Sequence, residues 1–523
     1  MQSLTLQEFF EHVHSSQLLA AQLEYYSNDG QPLRDFLAAN ISEWLSSREF
    51  KDMVDGERYY GNENPAIMSR ERKVIGRNGE MVRAPYLANN KLPHPYLRKL
   101  TKQKIGYLLS KPFTVTSSNE TFQEALAEYF DKDFYRLIKN VGKDAIVSGK
   151  AWIQPYYDPK GNLKFKRIPP QEVMPFWEDI DHTDLGAAMR IYEVVVYAGT
   201  EKTTVQHVKF FTPEKIYNFI KEDDGLHPDK DAPFEYNFTA QVPGEAVVNP
   251  ETGEEEIPMV DHGVMWDRIP LVCFKYNAEE TSLLKFVKPL IDDYDRRTSD
   301  LSNVLEDEPD KIKVVRNYDG TDKGEFIYNL SRYRTLFLRG DGDVSSLDTS
   351  ISTDALENHL TRTRRDIFEA GSGVDTQNKD LGNASGVALK FVYSDLDSDC
   401  QDFGAEMAAA LEQLIWFIKQ DILLKTGQNF TDEDVDIIFN TDITINESET
   451  ISNIKNSVGI VSNKTLLEQH PYVTDASLEE QRLQEEQQQA LEAVEQELAI
   501  QQAATAASPA GSSAPPAASR SGM

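Results

Sequence analysis

The stretch with the strongest claim to chemistry is Ala370 to Phe391, AGSGVDTQNKDLGNASGVALKF, with Gly371, Gly373, Gly382 and Gly386 and almost no bulky apolar residue before Val387. Backbone amides in such a stretch could cradle a phosphate. A Walker loop, however, needs G-x-x-x-x-G-K-[ST]. Here Asn383, Ala384 and Ser385 separate Gly382 from Gly386, Val387 stands where the lysine is needed, and Lys379 lies on the wrong side. A dinucleotide fingerprint needs a strand before the loop, and the pattern before this one is helical. A surface connection between helices and a moving part of a larger assembly stay open beside it. Other constellations are weaker. Gly371-Ser372-Gly373 is too short for a nucleophile elbow. His12 and His14 are two apart and fall on different helix faces. Glu306, Asp307, Glu308 and Asp310 lack the EF-hand spacing and read as a solvated helix end. With 86 acidic residues, a pair of carboxylates carries little information. No catalytic residue, cofactor or metal site is expected.

At 523 residues the chain exceeds one core, so several domains are expected. A balance of 54 basic against 86 acidic residues, net −32, opposes tight adhesion to phosphate backbones and does not forbid a surface past which nucleic acid slides. Cys273 and Cys400 form neither a disulfide framework nor a metal motif, which fits a reducing compartment. MQSLTLQEFFEHVHSS lacks the parts of a signal peptide, and no apolar run of about eighteen residues suggests a membrane span.

The elements that must position the glycine stretch follow from periodicity. LQEFFEHV, LRDFLAANISEWLSS and YLRKLTKQKIGYLLSKP read as helices, the last in a basic stretch from Met81 to Pro112. FTVTS is extended, and Phe122 to Ile146 reads as a helix again. From Ala151 to Phe274 the period is two, with a hairpin turning at Asp158 to Gly161. The acidic Lys221 to His262 reads as a long surface hairpin or a partly mobile insertion. Ser282 to Asp307 is helical, with a kink or a separate start expected at Pro289. Lys311 to Leu347 is a basic β-patch, and Ser352 to Ala370 a second helix. A helix from Gly386 to about Lys425 follows, about 60 Å long and expected to bend at Ser394 to Asp399. DVDIIFNTDITI is a strand, Ser448 to His470 two short helices, Leu478 to Gln502 a Glu/Gln-rich helix, and Ala503 to Met523 a disordered tail. Two helices with a β-module between them make a stalk whose apolar stripe needs cover. Copies in a ring could supply that cover.

Several stretches, in this order, resemble the portal proteins of tailed bacteriophages, in the branch found in siphophages. They are QKIGYLLSKPFTVTS (Gln103–Ser117), IPLVCFKYNAEE (Ile269–Glu280), LLKFVKPLIDDYDRRTSDLSN (Leu283–Asn303), VVRNYDG (Val314–Gly320), GDGDVSSL (Gly340–Leu347) and ETISNIKNSVGIVSNKTLLEQHPYV (Glu449–Val473). The resemblance runs from about Tyr59 to Glu485 and implies an α+β portal fold: a helical stem and crown, an α/β wing and a small β-rich clip. It also implies a cyclic homo-oligomer, twelve copies in a capsid, at one vertex of the virion, assembled in the host cytoplasm. Double-stranded DNA passes through the axis without sequence specificity. Partners are the terminase large subunit, head-tail adaptor proteins, and major capsid and scaffolding proteins; no membrane is involved. By that resemblance residues 1–281 are the wing, 282–307 and 351–370 the stem helices, and 308–350 the clip. Residues 371–385 are a tunnel loop lining the channel, 386–446 the long helix and strand returning to the wing, 447–502 the crown, and 503–523 the tail. The loop would present Gly371, Gly373, Thr376, Gln377, Asn378, Lys379, Asp380 and Gly382 to DNA, its glycines supplying backbone freedom. Arg362, Arg364 and Arg365 would line the channel or pair between subunits with Asp292, Asp293 or Asp295. Lys311, Lys313, Arg316, Arg332, Arg334 and Arg339 would serve docking at the clip. An oligomeric scaffold that binds no DNA, and a nucleotide-driven motor, are the alternatives.

Overall fold

The structure, a computed structural model, describes residues 31–75, 80–85, 87–243, 247–248, 255–256, 259–307, 312–316, 343–347, 353–377, 386–440, 447–470, 472–473, 476 and 478–491. The chain divides into two compact units, the first Met1–Lys379 with Val392–Asp442, the second Asp380–Phe391 with Ile443–Met523.

The described part of the first unit begins with helices α1 (Gln31–Ser46), α2 (Arg48–Tyr60) and the single-turn α3 (Pro65–Met68), then the paired strands β1 (Lys73–Ile75) and β2 (Met81–Arg83). Helix α4 (Tyr96–Leu108) and strand β3 (Thr114–Thr116) follow. The helix expected over Phe122 to Ile146 is two, α5 (Glu120–Ala127) and α6 (Lys132–Ser148). Asn119 and Asp131 each accept a backbone N–H, from Phe122 and Phe134, so each start has its own cap.

Strands β4 (Lys150–Tyr157) and β5 (Leu163–Ile168) form the expected hairpin, whose turn is tied by Asp158 accepting from the amides of Lys160 and Asn162. Strands β6 (Val173–Trp177), β7 (Leu185–Ala198), β8 (Glu201–Phe211), β9 (Ile216–Glu222) and β10 (Gly225–Pro228) make a meander, with β11 (Phe234–Glu235) added on β9. The acidic stretch therefore starts inside this sheet. It continues as a hairpin of β12 (Phe238–Pro243) and β15 (Met259–Val264), with the two-residue pair β13 (Val247–Val248) and β14 (Glu255–Glu256) between them. Strand β16 (Val272–Lys275) returns to β4. The sheets are open; none closes into a barrel among the described residues.

Helix α7 (Leu283–Asp307) runs unbroken through Pro289. Strands β17 (Ile312–Arg316) and β18 (Asp343–Leu347) pair antiparallel, and α8 (Thr353–Ala370) packs against α7. Helix α9 (Gly386–Thr426) is continuous through Ser394 to Asp399. Within that stretch Asp397 and Asp399 accept hydrogen bonds from Tyr107 and Tyr276, so their polar character serves contacts. Strand β19 (Asp436–Ile438) pairs with β3. In the second unit lie α10 (Glu447–Ser457), α11 (Asn463–Glu468), capped by Ser462, and a helical stretch at 478–491. The tail from 503, the helix read at LQEFFEHV and the pair His12 and His14 lie outside the described residues.

The main core gathers Leu97, Leu100, Ile138 and Val141 with Val287 and Ile291 of α7 and Phe403, Met407, Leu411 and Leu414 of α9. A second cluster joins Leu37 and Ile41 of α1 to Met189, Val208 and Phe210 on the large sheet.

Helix α7 corrects the expectation of a continuous apolar stripe. Beyond Ile291 its buried positions are Asp295, Ser299 and Asn303, at most 1% exposed. They face an extended segment of the same chain. The amides of Ala88, Asn90, Leu92 and His94 donate to Asp307 Oδ1 (2.9 Å), Asn303 Oδ1 (2.6 Å), Ser299 Oγ (3.1 Å) and Asp295 Oδ1 (3.0 Å). Every second residue of the segment meets every fourth of the helix. The registers match because two extended residues advance about 6.6 Å and four helical ones about 6 Å. Pro93, which has no N–H, falls between bonding positions. This half of the helix is covered by its own chain.

Candidate functional site

Helix α8 ends in a turn that satisfies its last carbonyls. Gly371 N donates to Ile367 O (3.0 Å), Ser372 N to Glu369 O (3.1 Å) and Gly373 N to Phe368 O (2.8 Å). The left-handed residue here is Ser372, at φ 46°, and neither glycine has positive φ. Gly371 and Gly373 are small for another reason: a Cβ on them would stand 2.6 Å and 2.3 Å from the Leu100 methyls. Lack of space, and not backbone freedom, requires glycine at these two positions.

Helix α4 is the seat of this turn. The Gln103 amide bonds Val374 on both sides, Nε2 donating to Val374 O (2.7 Å) and Oε1 accepting from Val374 N (3.1 Å). Lys104, fully buried, donates to Ser372 O (3.3 Å) and to Asp399 of α9 (2.6 Å), a carboxylate that also accepts from Tyr276. Lys99 Nζ lies 3.4 Å from Thr376 Oγ1 and over the Phe368 ring. Arg364 grips Asp375 with two 2.7 Å hydrogen bonds, and Asp375 also accepts from Gln377 N (3.1 Å). The guanidinium holds the Asp375 carboxyl below its ordinary range.

Gly371, Gly373, Thr376 and Gln377 thus meet Arg364 in one built turn, with Thr376 and Gln377 exposed. Arg362 and Arg365 are on the exposed side of α8, and both reach Asp366, at 3.9 and 3.4 Å. The carboxylates expected to pair with these arginines are held elsewhere in the same chain. Asp292 accepts from Tyr59 and Lys288, Asp293 pairs with His359 and Arg297, and Asp295 accepts from Asn64 and His94. In the β17–β18 pair, Lys313 stands opposite Ser346 and Arg316 opposite Asp343. Asn378, Lys379, Asp380, Gly382, Lys311, Arg332, Arg334 and Arg339 lie outside the described residues.

A second polar cluster lies away from the turn. Lys150, almost fully buried, pairs with Glu280 (2.6 Å) and Glu49 (2.7 Å), and His182 Nδ1 is 2.6 Å from Glu280. Burial pushes the Glu280 carboxyl up, but the hydrogen bond from His182 and the Lys150 charge outweigh it and bring it down to about 2. Both cysteines are buried. Burial pushes the Cys273 thiol well up and that of Cys400 up to about 12, so neither is a ready nucleophile. Among the described residues Glu222, Asp224 and His227 bring ligand atoms close together, all at the surface of the β9–β10 turn. No described helix is long and apolar enough to cross a membrane.

The described fold thus has a mixed helix and sheet body, a helix pair that encloses a β-module in sequence, and a glycine turn followed later in the chain by a long helix. The description "Phage portal protein, SPP1 Gp6-like" matches residues 46–493, and the chain belongs to that family. It is 28% identical over 457 residues to the portal protein of Bacillus phage SPP1, covering 86% of this chain and 87% of that one. It is 26% identical over 460 residues to the portal protein of Clostridium phage phiCD119, covering 83% and 93%. Among solved structures it is similar to a chain in the "Neck of native GTA particle computed with C12 symmetry", at 10% identity and a TM-score of 0.36, over 71% of this chain and 88% of that one.

Proposed function

We propose that the chain is the portal subunit of a tailed bacteriophage. Copies form a ring at one capsid vertex, and the genome is packaged through it and later ejected. The observation that carries this reading is the family match across residues 46–493. In this reading α7 and α8 are the stem, the β17–β18 module belongs to the clip where terminase and head-tail adaptors dock, and residues 371–385 are the channel loop. The wing is the body up to residue 281, and α10, α11 and the helix at 478–491 belong to the crown. The role is mechanical and requires no catalytic step, cofactor or metal.

The ring needs less apolar cover than the sequence suggested, because the 88–94 segment covers one side of the far half of α7. Phe286, Val304 and Leu305 remain exposed on α7, 40–60% each, and support a role for neighbouring copies there. Imaging of the purified full chain is expected to give closed rings with an axial hole. Rods, or a stable working monomer, would sink the reading. Deleting Asp375 to Asp380 is expected to leave the rings intact and to impair DNA filling or retention. Normally filled capsids from that variant would remove the channel-loop assignment.

A further inference from the structure

We propose that the outward face of α4 is a phosphate-contacting ledge for duplex DNA, formed by Arg98, Lys99 and Lys102 beside the root of the channel loop. This rests on the channel reading of that loop.

The first observation is compositional. From Met81 to Asn119 there is no Asp or Glu, while the same 39 residues hold seven Lys and Arg. In a chain where about one residue in six is acidic, this is the longest departure from the overall balance that the proposed function leaves unexplained.

The second is geometric. At about 100° per residue, positions 98, 102, 106, 99 and 103 form one continuous arc on the helix. The fold agrees: Arg98, Lys102 and Gly106 are exposed, Lys99 and Gln103 are half-buried, and the opposite side, Leu97, Leu100, Ile105 and Leu108, is core. One edge of the arc, Lys99 and Gln103, holds the loop root at Thr376 and Val374. The ledge therefore lies beside the loop wherever the loop is placed. Gly106, near the middle of the arc, has nothing within 4 Å of where a Cβ would stand, so a phosphate can come close to the helix.

The third is electrostatic. Arg364, Arg362 and Arg365 each have a carboxylate from their own chain. Among the described residues Arg98, Lys99 and Lys102 make no direct ion pair: Arg98 lies over the Tyr60 ring, and Lys99 lies over Phe368 and only adds to the field that Arg364 sets on Asp375. Cations without a carboxylate partner are the ones that can exchange counterions for phosphate. Three of them on an otherwise acidic ring give contacts that form and break without holding the duplex fast.

The test uses the two native thiols, which are buried and unreactive, so a single surface cysteine labels alone. Lys102→Cys, Gln377→Cys and a remote control, Lys164→Cys at the exposed β5 strand, are each introduced into the full chain. Each is coupled to a photo-crosslinker and irradiated in DNA-filled capsids. DNA adducts from position 102 are expected at about tenfold or more over position 164. Adducts at 377 without adducts at 102 overturn the ledge and leave the loop reading intact. Adducts at 102 without adducts at 377 uphold the ledge and overturn the loop reading. Adducts at neither overturn the channel reading of this whole region, and crosslinks from 102 to an acidic protein in place of DNA reassign the face as a protein-docking surface. As a second measurement, Arg98→Gln/Lys99→Gln/Lys102→Gln is expected to keep ring symmetry and to lower the salt dependence of DNA retention. An unchanged salt dependence overturns the proposal.

Discussion

The two halves of α7 bury the same stripe by different physics. From Leu283 to Ile291 the stripe is apolar and joins the main core, where any well-shaped neighbour lowers the free energy. From Asp295 to Asp307 it is polar and pairs with the 88–94 segment through four backbone N–H donors. Hydrogen bonds contribute little net stability but punish mismatch, so this half fixes register more than it adds strength. The ladder covers one side of this half with the chain's own backbone, while Val304 and Leu305 stay exposed on it.

The sharpest way to break this contrast is at Asp295. Its carboxylate is fully buried and accepts from Asn64 Nδ2 (2.8 Å), His94 N and His94 Nδ1 (2.7 Å). Asp295→Ala strands three donors, and a loss of about 4 kcal/mol is expected in chemical denaturation. Asp295→Asn, which keeps an acceptor, is expected to recover about half of it. On the apolar side Ile291→Ala is expected to cost about 3 kcal/mol through a cavity, and to do so without selectively exposing the 88–94 amides to hydrogen exchange. If Ile291→Ala releases those amides and Asp295→Ala does not, the division of the helix into two kinds of burial is wrong.

Glu280 extends the contrast to a buried ion cluster. Its carboxyl is held at about 2 against an ordinary 4.5, so the ionised form is favoured in the folded chain. The stabilisation is complete above pH 4.5 and is lost as pH falls towards 2. It amounts to about 3 kcal/mol. Glu280→Gln is expected to be less stable at pH 7 by that order and to flatten the stability profile between pH 4.5 and 2. A wild-type profile with the same slope as the variant in that window would show that the Lys150–Glu280–His182 cluster contributes nothing there.

Much of the fold was legible because its signals are local. The 3.6-residue period of Leu97, Leu100, Ile105 and Leu108 marked α4, and Leu283, Val287 and Ile291 marked the start of α7. Alternation and the Asp158–Gly161 turn gave the β4–β5 hairpin. The break between α5 and α6 had a signal too, since Asn119 and Asp131 are capping residues, but apolar periodicity across it masked the stop. The polar half of α7 read as part of an apolar stripe because its partner segment, LANNKLPH, has no period and lies over 200 positions away. The loop root was recognisable only through family resemblance. Glycine number suggested pliancy, while the reason for Gly371 and Gly373 is set by Leu100, which no local pattern announces. Gln103 and Lys104 were invisible for the same cause: their partners at Val374 and Ser372 are 271 and 268 residues on.

The smallest expected effect is the most discriminating. Ser299→Ala removes one acceptor, Oγ, from the Leu92 amide at 3.1 Å and changes almost no volume. A cost of about 1 kcal/mol is expected, close to that of one hydrogen bond with its buried donor left unpaired. The location of the change matters more than its size. The Leu92 amide, and its neighbours at Asn90 and His94, are expected to exchange faster with solvent while amides at Val287 and Ile291 keep their protection, because the apolar half holds without the ladder. Val287→Ala is the mirror experiment, with a larger loss of stability and no selective release of Leu92. If Ser299→Ala lowers protection along the whole helix, the two halves form one cooperative unit, and the ladder is part of the core and not a register-setting cover laid over it.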